Sequence, residues 1–275
     1  MRSARAAALL LAALLASCDR KPAAPPAQTA MNTLRVVATD FAYQAPDTVS
    51  AGLTDIVMVN QGKEPHQAVV FRVDSAKTTA EVMAGLMSPA IPAWITVPGG
   101  PNGAMPGDSA NTATTLTAGN YWMVCFMMGA DGKAHLEKGM TKQFVVKPAG
   151  TAMALPAGDI TITTKDDAFD VTPAITAGTH TIRMVNAGPQ LHEISLLKLA
   201  PGATMAKVQA WMQGGMKGQP PMMPVGGIAG LSVGQTANFT ATFTAGDYIL
   251  LCFVPDSKDG KPHFAHGMML PLKVS

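Results

Sequence analysis

Charge, aromatic residues and cysteine are all scarce in this 275-residue sequence. Charged residues make up 14%, against roughly 25% in an average soluble domain. The 20 basic and 18 acidic side chains nearly cancel, leaving a net charge of +2. So even a balance provides no broad cationic face for nucleic-acid phosphates, and no nucleic-acid partner is expected. Three cysteines are too few for a disulfide scaffold. Beyond the N-terminal segment no apolar run reaches the roughly 18 residues of a membrane-spanning helix. The 26 Gly and 21 Pro break up helical periodicity and argue against a helical bundle. Methionine is what the chain has in excess, at 19 residues. The length suggests two domains, each large enough to bury a core.

The N-terminus reads as an address. Arg2 and Arg5 precede an Ala/Leu run from Ala6 to Ala16, the pattern of a secretory signal. The run ends Leu15-Ala16-Ser17-Cys18, which resembles the bacterial lipoprotein signal. That resemblance implies cleavage after residue 17, lipid on Cys18 and anchoring to a membrane in the cell envelope. Asp19 resembles the inner-membrane retention signal, so the expected place is the periplasmic face of the inner membrane rather than the outer membrane. Residues 18–32, rich in Pro and Ala, read as a lipidated tether.

The rest of the chain is one unit written twice. Asp55-Ile-Val-Met-Val-Asn-Gln-Gly62 matches Thr181-Ile-Arg-Met-Val-Asn-Ala-Gly188, and Thr117-Ala-Gly-Asn-Tyr121 matches Thr244-Ala-Gly-Asp-Tyr248. Asn60 and Asn186 are 126 apart, Cys125 and Cys252 127 apart, Met140 and Met268 128 apart. The expected domains are 33–147 and 158–275, joined by a linker at 148–157. Short β-rich runs punctuated by Gly, Pro, Asn and Asp predict β-sandwiches. One helix per half is expected, over Thr79–Met87 and Thr204–Gln213, each with an apolar stripe.

Each half repeats the same four residues in the same order: His66, Cys125, His135 and Met140, then His192, Cys252, His263 and Met268. The first His follows an Asn-x-Gly turn in both halves. The others lie on one loop, Cys125-x9-His135-x3-Gly139-Met140 and Cys252-x10-His263-x3-Gly267-Met268. Two imidazoles, a thiolate and a thioether form the ligand set of a blue-copper site, whereas zinc seldom takes a thioether. A Cys125–Cys252 disulfide is the competing use of the two thiols.

Each half resembles a cupredoxin, the blue-copper β-sandwich family. The segment Gln61-Gly-Lys-Glu-Pro-His-Gln-Ala-Val-Val-Phe71 is similar to the first-histidine segment of plastocyanins. The approaches Gly119–Cys125 and Gly246–Cys252 resemble the family too. The His-x3-Gly-Met endings resemble the copper-site loops of copper nitrite reductases and rusticyanin-like proteins. The resemblance implies an all-β chain of two tandem cupredoxin-like Greek-key β-sandwiches, each with a short helical insertion. It also implies one type 1 copper per domain, held by the two sets above. The Cys-to-His loops are longer than in the small carriers, and Gln67 and Glu193 stand after the first His where an Asn is common.

The resemblance implies electron transfer with a redox partner protein, with the edges of His135 and His263 exposed for exchange. Val124 and Leu251 precede the cysteines, no His-x-His occurs, and only His180 and His266 remain unassigned. No type 2 or trinuclear copper ligands are therefore recognised, and no enzyme is expected. The alternatives are copper sequestration or delivery, with Met216, Met222 and Met223 as soft donors, and a metal-free interaction module.

Overall fold

A computed structural model describes residues 30–74, 77–88 and 90–275. The expected signal segment and the expected lipid-bearing Cys18 lie outside these described residues. In the first half the elements are β1 (Asn32–Thr39), β2 (Ala42–Gln44), β3 (Thr48–Ser50), β4 (Gly52–Asn60), β5 (Val69–Val73), α1 (Thr79–Leu86), β6 (Ile95–Thr96), β7 (Ser109–Leu116), β8 (Gly119–Val124) and β9 (Thr141–Lys147). In the second they are β10 (Ile160–Lys165), β11 (Ala168–Thr172), β12 (Gly178–Asn186), β13 (His192–Leu199), α2 (Met205–Gln213), β14 (Met222–Leu231), β15 (Thr236–Phe243), β16 (Gly246–Leu251) and β17 (Met269–Val274). The described residues are all-β apart from α1, α2 and two short 3-10 turns. Among the described residues no helix is long and apolar enough to cross a membrane.

Each half folds as two facing sheets. The first has β2-β1-β4-β7 against β3-β9-β8-β5-β6, and the second β11-β10-β12-β15 against β14-β13-β16-β17. Strand alternation explains both the core and the place of the cysteines. Along β8, Tyr121 and Met123 point into the core between the sheets, while Trp122 and Val124 point out, into a second cluster with Val82 and Leu86 of α1. Along β16, Tyr248 and Leu250 point in, while Ile249 and Leu251 meet Val208 of α2. The helices thus cover the outer faces of strands that are apolar on both sides. The same alternation sends Cys125 and Cys252, one residue past each strand, into the core at one end of each sandwich.

Both helices start on threonine caps. Thr78 and Glu81 exchange hydrogen bonds in a capping box, and Thr204 accepts from the Lys207 amide. α1 and α2 lie at the predicted positions within a residue at each end.

The halves are not beads on a tether. β7 and β15, equivalent strands of the repeat, meet antiparallel at Asn238 and Ala113, which joins two sheets into one of eight strands. The equivalent residues Pro101 and Ile228 also pair antiparallel. Equivalent segments meeting in this way is the signature of a local two-fold relation, like a symmetric dimer within one chain. Asn102 secures the contact, donating from Nδ2 to Ile194 O (3.1 Å) and Ser195 Oγ (2.9 Å).

Candidate metal centres

The Asn-x-Gly turn after β4 places the first histidine. Asn60 Oδ1 accepts from Gly62 N (2.8 Å), and its Nδ2 donates to the carbonyls of Glu64 (2.8 Å) and Ala104 (2.9 Å). His66 then pairs by backbone with Ala104. Asn186 repeats these contacts with Gly188, Gln190 and Leu231. The glycine is required by close approach: a Cβ on Gly62 would lie 2.6 Å from His66 Nε2, and one on Gly188 equally close to His192 Nε2.

The second histidine begins a 3-10 turn, His135–Lys138 or His263–His266. Backbone bonds close the loop around it. Cys125 N donates to Met140 O (3.3 Å), Met140 N to His135 O (3.0 Å) and His135 N to Met127 O (2.8 Å). In the second half Cys252 N donates to Met268 O (3.2 Å), Met268 N to His263 O (3.1 Å) and His263 N to Val254 O (2.9 Å). The longer loops thus return to the cysteine and bring the His and Met with them.

In the first half, His66 Nδ1 and His135 Nδ1 are 3.0 Å apart, and Cys125 Sγ lies 3.4 Å from His135 Nδ1 and 4.0 Å from His66 Nδ1. In the second, the corresponding distances are 3.2, 3.4 and 4.0 Å. A triangle with these sides has its centre about 2 Å from each corner, close to a metal–nitrogen bond of ~2.0–2.1 Å. Three buried donors that converge on one point fit a single metal ion. Met140 and Met268 are fully buried in the same core clusters as Cys125 and Cys252. Trigonal N₂S with a buried thioether is the donor set of type 1 copper. Both thiols are free, and each lies in its own sandwich rather than in a shared disulfide.

The chain carries the cupredoxin fold twice.

No protein-family profile and no curated relative matches the sequence. Among solved structures, auracyanin from Roseiflexus castenholzii matches at 23% identity over 42% of this chain and 94% of its own, with a TM-score of 0.30. The copper nitrite reductase NirK from Thermus scotoductus matches at 13% identity over 88% of this chain, with a TM-score of 0.26. This chain spans 61% of that enzyme. Blue copper oxidase from Nitrosomonas europaea matches at 14% identity over 89% of this chain and 86% of its own, with a TM-score of 0.26. These likenesses concern the fold alone. They correct one expectation from sequence, that the chain is not an enzyme. Enzymes stand among the matches that run along both cupredoxin domains, and missing motifs for further copper ligands say nothing about sites assembled in three dimensions.

The second expectation to be corrected concerns the histidine edges. His135 is fully buried and His263 is 2% exposed. Phe41 packs on His135 with ring centroids 4.8 Å apart, and Lys138 Nζ lies 4.1 Å above the Phe41 ring. Solvent is reached through carboxylates instead. His66 Nε2 meets Asp40 Oδ1 at 2.8 Å and His135 Nε2 meets Glu64 Oε2 at 2.9 Å, with those acidic side chains 20% and 27% exposed. Asp166 braces His192 in the same way at 3.0 Å. Sequence reasoning missed Asp40 and Asp166, although their spacing of 126 residues equals that of Asn60 and Asn186.

The environments of the two thiols differ. Burial pushes the Cys125 thiol up to about 11, against the bonds it accepts from the Gln67 and Met127 amides. Burial, and then the Glu193 carboxylate, push the Cys252 thiol up as well. Glu193 is itself buried, and loss of hydration raises it to about 7 despite bonds from Phe253 N (2.9 Å) and Ser195 Oγ (3.2 Å). Tyr43 donates to the Gln67 carbonyl beside Cys125, and Phe169 takes its place in the repeat. Burial also lowers His66, His192 and His263, so these rings are neutral at pH 7.

The remaining candidates separate from the centres. Met222 is buried against α2, while Met216 and Met223 are exposed. Neighbours on a strand face opposite ways, so the thioethers of Met222 and Met223 do not converge. His180 lies on β12, bonded to Asp159 (2.6 Å) and Thr176, away from both centres. His266 pairs with Asp259.

Proposed function

We propose that this chain is a lipid-anchored electron-transfer protein of the bacterial envelope with one type 1 copper in each cupredoxin domain. The observation that carries this reading is the pair of near-identical Nδ1–Nδ1–Sγ triangles, each with a buried methionine in the same core. His66, Cys125, His135 and Met140 would hold one ion, and His192, Cys252, His263 and Met268 the other. Copper bound there supplies a one-electron couple. The chain's residues hold the donors in place: Asp40, Glu64 and Asp166 fix the imidazoles from behind, and the core excludes water. Buried, braced donors that move little as charge changes keep reorganisation small. Electrons would enter or leave the first domain over the Asp40–Phe41–Glu64 face rather than a bare ring edge. Cys18 would tether the chain to the membrane, where a partner redox protein docks.

Copper loading of the purified protein tests this reading. Two equivalents should bind, with an intense visible thiolate-to-copper band and the narrow copper hyperfine splitting of type 1 sites in EPR. Copper bound without that band would overturn it. Affinity should also depend on pH. The thiols are protonated and the three shifted histidines neutral at pH 7, so each ion displaces one thiol proton. Apparent affinity should therefore rise about tenfold per pH unit between roughly pH 7 and 8.5, as read by chelator competition. A flat profile would mean that thiolate is not a ligand.

A further inference from the structure

Beyond the two centres, one other cluster among the described residues brings metal-ligating groups together. Asp256, Asp259 and His266 each offer one donor atom, all within 4.8 Å of one another. The cluster lies on the loop between Cys252 and Met268, at the solvent side of the second centre. His266 Nε2 is 3.1 Å from Asp259 Oδ1. Asp256 Oδ2 lies 3.8 Å from His263 Nε2. That nitrogen is buried and has no hydrogen-bond partner, unlike its counterpart on His135, which meets Glu64 at 2.9 Å. A buried, unsatisfied imidazole nitrogen therefore faces this cluster.

The repeat shows what occupies the same place in the first half. Asp256 corresponds to Gly129, Asp259 to Asp131, His266 to Lys138 and Gln190 to Glu64. There the Lys138 ammonium lies 2.8 Å from Asp131. A Cβ on Gly129 would meet Lys138 Nζ, Asp131 Oδ1 and Glu64 Oε2 within 3.0 Å, so these groups surround the position that Asp256 fills in the second half. The first half balances two carboxylates with its own cation. The second half keeps two carboxylates, replaces the ammonium at this position with an imidazole and replaces Glu64 with neutral Gln190, while the Lys258 charge acts on Asp256 from within the loop. Lys261 Nζ lies 3.3 Å from the outer oxygen of Asp259, but it is strongly exposed and reaches only that edge. Asp256 accepts from Lys258 N (2.7 Å) and Gln190 Nε2 (2.7 Å), which orient its carboxylate.

We propose that Asp256, Asp259 and His266 bind a divalent first-row cation beside the second centre, in the role that Lys138 fills beside the first. Two carboxylates and an imidazole, open to water on one side, suit Mn²⁺, Fe²⁺ or Zn²⁺ rather than Cu⁺, which prefers sulfur. This binding does not depend on the copper reading. If copper does occupy the second centre, the cation would lie beside the outer nitrogen of His263 and favour the reduced, less positive copper there.

Mn²⁺ is the probe, because it prefers oxygen donors over thiolate and its free-ion EPR signal falls when it binds. Titration of the full chain should show one bound Mn²⁺. His266→Lys, which copies the first half, and Asp259→Asn should each weaken binding about tenfold or more. Asp131→Asn and Cys252→Ser should leave it unchanged, which separates this site from the first half and from the copper centre. Circular dichroism of all four variants checks that they fold, and binding is compared among folded variants. Absence of binding up to millimolar Mn²⁺ would overturn the proposal. Binding that survives both His266→Lys and Asp259→Asn, or that is lost with Cys252→Ser, would overturn it as well.

Discussion

Cys125→Ser should remove the visible charge-transfer band of the first domain and leave that of the second. Cys252→Ser should do the reverse, and the double variant should be colourless when loaded with copper. The reason is electronic: the band requires a thiolate, and a hydroxyl at the same place cannot supply one. Each sulfur lies fully buried 3.4 Å from its loop histidine, with no neighbouring thiol among the described residues to replace it. The substitution also buries a hydroxyl in place of a weakly polar group, so stability of the metal-free chain should fall by about 1–3 kcal/mol. Absorption spectra of the three loaded variants, with denaturant midpoints, check both parts. A single variant that kept the full band would show that only one centre takes type 1 copper.

Asp40→Ala should lower copper affinity of the first centre about 10–100-fold and leave the second intact, while Asp166→Ala should do the converse. Asp40 Oδ1 meets His66 Nε2 at 2.8 Å, and the same carboxylate accepts from Lys63 N (2.8 and 3.0 Å) and Glu64 N (3.3 Å). Burial works to raise its pKa, but the bonds from Lys63, His66 and Glu64 outweigh this and hold the carboxyl below its ordinary value. It therefore stays ionised at neutral pH and orients the imidazole with Nδ1 toward the sulfur. Without it the ring loses its fixed direction, and two loop amides lose their acceptor. Chelator competition followed at the two bands separates the domains. Asp40→Asn, which keeps an acceptor but no charge, should lie between wild type and Asp40→Ala.

Much of the centre was legible because its signals are local or repeated. The alternation that brings Cys125 and Cys252 to the core is a two-residue period along β8 and β16. The Asn-x-Gly turn that places His66 and His192 spans a few residues. The duplication acted as an internal control, since a ligand residue recurring at the same place twice stands out from one that occurs once. What was missed had weaker linear signals. Asp40 is 26 residues from His66, and Glu64 is 71 from His135. The burial of the histidine rings depends on Phe41 and Lys138, which arrive from separate elements.

By itself the sequence determined the strand-rich class, the duplication, the donor types and their order, because periodicity, spacing and ligand chemistry are properties of a line of residues. Only the tertiary structure decided which atoms converge, how deeply the imidazoles lie, and that equivalent strands β7 and β15 join the halves. It also set the halves apart, with an ammonium beside one centre and an imidazole with two carboxylates beside the other. These outcomes depend on which distant segments share a surface, where a hydrogen bond or a charge acts only within a few ångströms.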